Sequence, residues 1–156
     1  MQLIKEVSKE KLRGGFYTPE PIAEFITKWG INGSTNASIL EPSCGDGVFL
    51  DVLRKGNYVF DTITAIEFDE IEAGKAAAIE IPNTTVLNED FHVYCNATDK
   101  KYDLVIGNPP YIRYQYFDEL QQKEAVKIFN RANLKYSKLT NAWVSFVVGS
   151  SLLLKE

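Results

Sequence analysis

At 156 residues, with 45% apolar and 24% charged side chains, the chain is long enough for one domain with a real core and too short for two, so residues 1–156 read as a single unit. Seventeen Lys and Arg against 21 Asp and Glu leave a net charge of −4, which excludes a whole-surface grip on nucleic acid and requires a local basic patch for any such contact. Two cysteines (Cys44, Cys95) and one histidine (His92) exclude a disulfide framework and a metal site. The charged start MQLIKEVSKEKLR has no apolar signal core, and the longest apolar stretch, Ala142 to Leu154, is too short to span a bilayer, so the cytoplasm is the default compartment.

The first sharp signal is Gly14-Gly15-Phe16-Tyr17-Thr18-Pro19-Glu20-Pro21. Thr18 is placed to cap a helix that has Pro19 at its first position. Ile22, Phe25, Ile26 and Trp29 follow at helical spacing as one apolar face, and Gly30 is expected to close the helix. Residues 31–38 are turn-rich. A strand is expected over Ser38–Glu41, then a Gly-rich turn and a helix over Val48–Lys55 stopped by Gly56. A second strand is expected over Thr62–Phe68 and a helix over Glu70–Glu80 stopped at Pro82. Thr84–Asn88 reads as the third strand, ending at Glu89-Asp90-Phe91, and Tyr102–Gly107 as the fourth, ending at Asn108-Pro109-Pro110-Tyr111. Beyond it, Asp118 and Gln121 form a capping-box pattern for a helix to about Arg131, and a last helix runs from Asn141 to Lys155. Strand and helix in alternation predict an α/β fold on a parallel sheet with right-handed crossovers. In such sheets ligands sit beyond the carboxyl ends of the strands, where all four strands here end in polar or Gly/Pro-rich residues.

Four of these strand ends can carry chemistry. Glu41-Pro42-Ser43-Cys44-Gly45-Asp46-Gly47 joins a strand to a helix, and its glycines let a ligand approach the backbone. It is not the G-x-G-x-x-G dinucleotide fingerprint. Glu67 is an acid placed to meet ribose hydroxyls. At the third strand end, Asp90 can take an adenine amino group while Phe91 packs on the ring face. The strongest signal is Asn108-Pro109-Pro110-Tyr111. Its prolines restrict the backbone after a buried strand, so the Asn side-chain oxygen and the Pro109 carbonyl can together hold an NH₂ group, and Tyr111 offers a flat stacking face.

The ordered set FYTP (Phe16–Pro19), EPSCGDG (Glu41–Gly47), IEFD (Ile66–Asp69), NEDF (Asn88–Phe91) and NPPY (Asn108–Tyr111) resembles the N6-adenine DNA methyltransferases of restriction–modification systems. The resemblance covers residues 14–111. It implies a Rossmann-like, S-adenosylmethionine-dependent methyltransferase fold. It implies that Tyr17, Thr18, Glu41, Ser43, Cys44, Gly45 and Asp46 surround the methionine end of the cofactor, that Glu67 and Phe68 hold the ribose region, and that Asp90 and Phe91 hold the adenine, with Asn108 shared between cofactor and target. The catalytic group is then Asn108, Pro109, Pro110 and Tyr111. Two hydrogen bonds accepted from the amino group of a flipped adenine stabilise the charge that develops as the nitrogen attacks the methyl.

Enzymes of that family continue into further strands and a target-recognition region, so the sheet is expected to be incomplete on its C-terminal side. The Leu104-Val105-Ile106 edge is then an association hazard, met by a second copy or a complementing chain. Residues 113–138 hold six Lys/Arg against three Asp/Glu, interleaved with aromatics, and Arg113 with Tyr114 is the expected nucleic-acid contact. Two other readings stay open. Release-factor glutamine methyltransferases also carry NPPY, and the chain could bind cofactor without turning over.

Overall fold

A computed structural model describes residues 17–33, 36–112, 116–137 and 141–156. The elements in order are α1 (Glu20–Ile31), β1 (Ser38–Glu41), α2 (Val48–Lys55), β2 (Thr62–Glu67), α3 (Glu70–Ala77), β3 (Thr84–Asn88), α4 (Phe91–Ala97), β4 (Leu104–Val105), α5 (Glu119–Arg131) and α6 (Ala142–Leu153). The four strands form one parallel sheet in the order β3-β2-β1-β4. The order reverses between β1 and β4, which puts the switch-point crevice at the carboxyl ends of the strands carrying Glu41 and Asn108.

Alternation along the strands divides the core in two. Ile39, Ile63 and Ala65 face α1, α2 and α3 in one apolar cluster with Ala23, Phe49, Leu50, Leu53 and Ala76. Leu40 and Ile66 face α4, α5 and α6 in a second, with Phe91, Cys95, Ile128, Phe146 and Leu153. The α/β class and the parallel sheet are therefore as the sequence predicts.

Several local expectations are corrected. Thr18 makes no cap: Pro19 occupies that position without a side-chain bond, and its carbonyl accepts the amides of Ile22 (2.9 Å) and Ala23 (3.1 Å). Gly30 does not end α1, which runs to Ile31 and stops at Asn32 in the left-handed conformation. Gly30 instead lets the helix lie close to β4, since a Cβ there would meet Leu104 Cδ1 at 3.3 Å. That close approach sets the rotation of α1. Ala23, Thr27 and Ile31 are buried, whereas Phe25 is 70% and Trp29 76% exposed and Ile22 is exposed with them. The small face packs, and of the expected apolar face only Ile26 leans on the core while Ile22, Phe25 and Trp29 point outward.

The second strand stops at Glu67, because Asp69 caps α3 by accepting the Ile71 and Glu72 amides. α3 in turn ends at Ala77. The fourth strand contracts to Leu104–Val105. Two residues before it, Tyr102 donates its amide to the Leu153 carbonyl (2.8 Å) and accepts from the Lys155 amide (2.9 Å), in an isolated parallel bridge with Leu154. α4 is a helix the sequence reading does not contain. Asp90 is its N-cap, accepting from the His92 and Val93 amides. The capping box on α5 is present, with Asp118 and Gln121 bonding each other's backbone. α6 runs from Ala142 to Leu153 behind an Asn141 cap.

Candidate functional site

Beyond the carboxyl ends of the strands lies a cavity of about 640 Å³, lined by residues from every expected motif: Tyr17 and Thr18; Glu41 through Asp46; Glu67 and Phe68; Asp90 and Phe91; Asn108 and Pro110. Apart from Tyr17 and Thr18, which precede α1, these segments meet here because each follows a strand of the same parallel sheet.

The β1–α2 loop is pinned at three points. The Cys44 amide donates to the Ile66 carbonyl (2.9 Å), the Gly45 amide to Glu67 Oε2 (2.9 Å), and Ser43 Oγ to the Asn108 carbonyl (3.3 Å). Gly47 is demanded by sterics: its φ is +92°, and a Cβ there would lie 2.5 Å from Ile79 Cδ1 and 3.0 Å from the Ala76 backbone. The loop thus lies flat across the ends of β1, β2 and β4.

The acids at the strand ends differ in how they are satisfied. Glu67 accepts from Gly45 through one oxygen and from the Asp69 amide (2.8 Å) through the other, so it holds two turns together as well as facing the cavity. Asp90 Oδ1 accepts from the His92 amide (2.8 Å) and the Val93 amide (3.2 Å) and meets His92 Nδ1 at 3.1 Å, while Oδ2 accepts from Gln121 Nε2 (2.9 Å). Burial pushes the Asp90 carboxyl up, but the His92 and Gln121 bonds outweigh it and hold it below the usual carboxylate range. Glu41 is the opposite case. It is 1% exposed, and neither carboxylate oxygen has a hydrogen-bond partner. Burial, then the neighbouring Glu67 and Asp46, push it well above the usual range. The same surroundings push the buried Cys44 thiol up, which disfavours the reactive thiolate.

The lining holds eight acidic residues and no Lys or Arg among the described residues. Such a cavity favours a ligand that brings positive charge.

Aromatic placement revises one expected role. The Phe91 ring is 2% exposed and stacks on Phe146 at a centroid distance of 4.9 Å, which commits it to the core. Phe68, 63% exposed on the cavity wall, is the aromatic with a free face at that end. Tyr111 is 53% exposed at the end of the Asn108-Pro109-Pro110 turn.

Two cations of the basic segment have partners within the chain. Lys127 pairs with Glu124 at 2.6 Å, and Arg131 donates to the Cys95 carbonyl (2.7 Å) and Asn96 Oδ1 (3.1 Å), tying α5 to α4. Phe117 and Phe129 are buried. Arg113 and Tyr114, the expected nucleic-acid contact, lie outside the described residues, as do Phe16 and Lys138.

Sequence reasoning missed Gln121, Phe146 and His92 in the lining, whereas Tyr116 and Phe117 belong to the aromatic-rich segment expected to flank the pocket. Gln121 was visible only as a capping residue, and His92 only as the single histidine. Among the described residues no group of three or more His, Cys, Asp or Glu is arranged to hold a metal ion, and no helix is long and apolar enough to cross a membrane.

A profile of the family described as Eco57I restriction-modification methylase matches residues 23–156. The type II methyltransferase M.HincII of Haemophilus influenzae is 36% identical over 149 residues, covering 95% of this chain and 27% of the relative. M.AccI of Acinetobacter calcoaceticus is 32% identical over 138 residues, covering 86% of this chain and 24% of the relative. The chain therefore spans about a quarter of the length of these relatives. In fold it is similar to the type I restriction-modification methyltransferase subunit of Streptococcus thermophilus (TM-score 0.69, 18% identity, 90% of this chain and 32% of that one). It is similar also to a structure from Listeria monocytogenes named for the class I S-adenosylmethionine-dependent methyltransferases (TM-score 0.68, 20% identity, 91% of this chain and 44% of that one).

Proposed function

Because this chain belongs to the Eco57I restriction-modification methylase family, we propose that it binds S-adenosylmethionine in the strand-end cavity and carries the methyl-transfer centre of an N6-adenine DNA methyltransferase. The observation that carries the proposal is the meeting of the Glu41–Asp46 loop and the Asn108–Tyr111 turn across the β1–β4 switch point, joined by the Ser43–Asn108 bond.

The cavity fits the cofactor on its own chemistry. Its volume suits a nucleoside-sized ligand, and a buried carboxyl without a partner answers a cationic group. In this reading Tyr17, Thr18, Glu41, Ser43, Cys44, Gly45 and Asp46 surround the methionine end. Glu67 and Phe68 hold the ribose region, with the Phe68 ring exposed for stacking. Asp90 marks the adenine end, and Phe91 supports it from the core. S-adenosylmethionine supplies an electrophilic methyl on a positively charged sulfur. The chain's own part is to orient the amino group that receives it. The Asn108 side-chain oxygen and the Pro109 carbonyl accept its two N–H groups, and Tyr111 stacks on the ring.

Calorimetry with S-adenosylmethionine tests the binding half. Glu67→Ala is expected to weaken affinity by about 1–3 kcal/mol, the usual effect of losing hydrogen bonds to a charged group. Methyl label from S-adenosylmethionine, followed into adenine-containing duplexes, tests the transfer half, and Asn108→Ala should abolish transfer while weakening binding only in part, since Asn108 is one of many residues around the cofactor. Absence of cofactor binding would sink the reading. Label entering a glutamine amide of a protein would move it to the release-factor class. Binding without transfer would assign this chain the cofactor half alone, in line with the quarter of the relatives' length that it spans.

A further inference from the structure

We infer that Glu41 exchanges a proton for the positive charge of its ligand: its carboxyl is the neutral acid while no cation faces it, and it ionises when the ammonium or sulfonium of S-adenosylmethionine reaches it. The inference rests on the cofactor reading of the cavity and adds a coupled proton to it.

Glu41 closes β1 in the middle of the sheet, and everything packed around it disfavours a bare carboxylate. Its two oxygens are buried and have no donor. The groups that face it are Glu67 from β2, Asp46 from the β1–α2 loop and the Cys44 thiol beside it. From the turn after β4 comes the Gly107 backbone, where a Cβ would lie 3.7 Å from Glu41 Cγ. None of these brings positive charge. Burial and like charge both favour the protonated acid, and the direction of the Glu41 shift agrees. Glu67, one strand away, is satisfied by two backbone amides that donate to it. Glu41 has no such donors, so its charged form depends on a cation from outside.

The exchange balances simply. The O–H bond of Glu41 breaks, its electron pair remains on the carboxylate that faces the ligand cation, and the proton leaves to solvent. Binding that releases a proton weakens as pH falls, and it becomes independent of pH above the titration of the free Glu41.

Two measurements decide the matter. The first is calorimetric titration with S-adenosylmethionine, at a pH no higher than the midpoint found for the free Glu41 in the second measurement, in two buffers of different ionisation enthalpy. It should show release of up to about one proton per cofactor bound, and Glu41→Gln, a neutral isostere, should abolish that release. Equal heats in the two buffers, or the same release from the Gln variant, would overturn the inference. The second needs no ligand. In the free protein the Glu41 side-chain carboxyl carbon, assigned by its loss in Glu41→Gln, should titrate by NMR well above the ordinary glutamate range. An ordinary midpoint also overturns the inference. If S-adenosylmethionine does not bind at all, the functional reading fails, while the NMR midpoint still settles the state of Glu41.

Discussion

The two faces of the sheet are built differently. Against α1, α2 and α3 the core is almost wholly hydrocarbon, with Phe49, Leu50, Leu53 and Ile63 each about 1% exposed, Thr27 buried beside them and Glu41 buried at the site end of β1. Against α4, α5 and α6 the core is threaded by polar pairs. His92 lies between Asp90 and Ser145 Oγ (2.7 Å), Ser145 in turn donates to the Ala142 carbonyl (2.7 Å), and the Tyr94 and Tyr102 hydroxyls bond each other. The first face needs only volume. The second needs volume and partners in fixed places, and through Asp90 it orients an acid of the candidate site. Rings surround that relay: Phe117 and Phe146 meet the His92 ring edge-on at 5.3 and 4.9 Å. Water is kept from it, so its hydrogen bonds must be made within the protein.

This contrast can be broken in order of size. Phe49→Ala on the hydrocarbon face should cost about 3–5 kcal/mol in denaturant unfolding, through lost burial and a residual cavity. A cost near that of an exposed residue would mean that α2 repacks freely. His92→Ala on the polar face should cost about 2–3 kcal/mol, because Asp90 and Ser145 lose a buried partner. Ser145→Ala, combined with it in a double-mutant cycle, should add little, and full additivity would show that the relay is not one unit.

Acid and base should then act on the site in opposite senses. Asp90 is held below its ordinary value, so its contribution is present above the unfolded value of about 3.9 and is lost as pH falls through the folded one. Asp103 behaves alike: Lys155 (2.8 Å), then the Ser38 amide and hydroxyl, pull it down. Glu41 is raised, so its contribution is present below the unfolded value of about 4.3 and is lost as pH rises through the folded one. Glu41→Gln should therefore raise the melting temperature of the ligand-free protein at neutral pH and leave it unchanged in acid. A uniform shift across pH would remove the charge argument. The smallest effect belongs outside both faces. Trp29→Ser should change stability by no more than about 0.5 kcal/mol, since that ring is exposed. A larger loss would mean that the outer face of α1 is covered in solution.

The alternation of elements was legible because its signals are local. Gly47 marks a turn that no Cβ could enter, Asp118 and Gln121 announce a helix, and all four strands end in polar or Gly/Pro-rich residues. The gathering of the motifs at one cavity followed from the parallel topology. α4 was not legible. Phe91, His92, Tyr94 and Cys95 are all buried in seven residues, which leaves no alternation of exposed and buried positions to betray a helix. Its Asp90 cap was read as a ligand contact because capping and ligand binding call for the same carboxylate.

What the sequence determined by itself was the alternation of strands and helices apart from α4, the parallel sheet which that alternation implies, and the chemistry brought to its edge, since propensity and turn geometry depend on neighbouring residues. Tertiary structure alone decided three matters. It turned α1 so that Ala23 and Gly30 meet the sheet and Phe25 and Trp29 do not, because helix–sheet distance is set by the smallest facing side chains. It placed the Phe91 ring in the core and left Phe68 at the wall. And it gave Glu67 two donors and Glu41 none, because a carboxylate's state depends on groups brought within a few ångströms from elsewhere in the chain, such as Gly45, which lies 22 residues from Glu67.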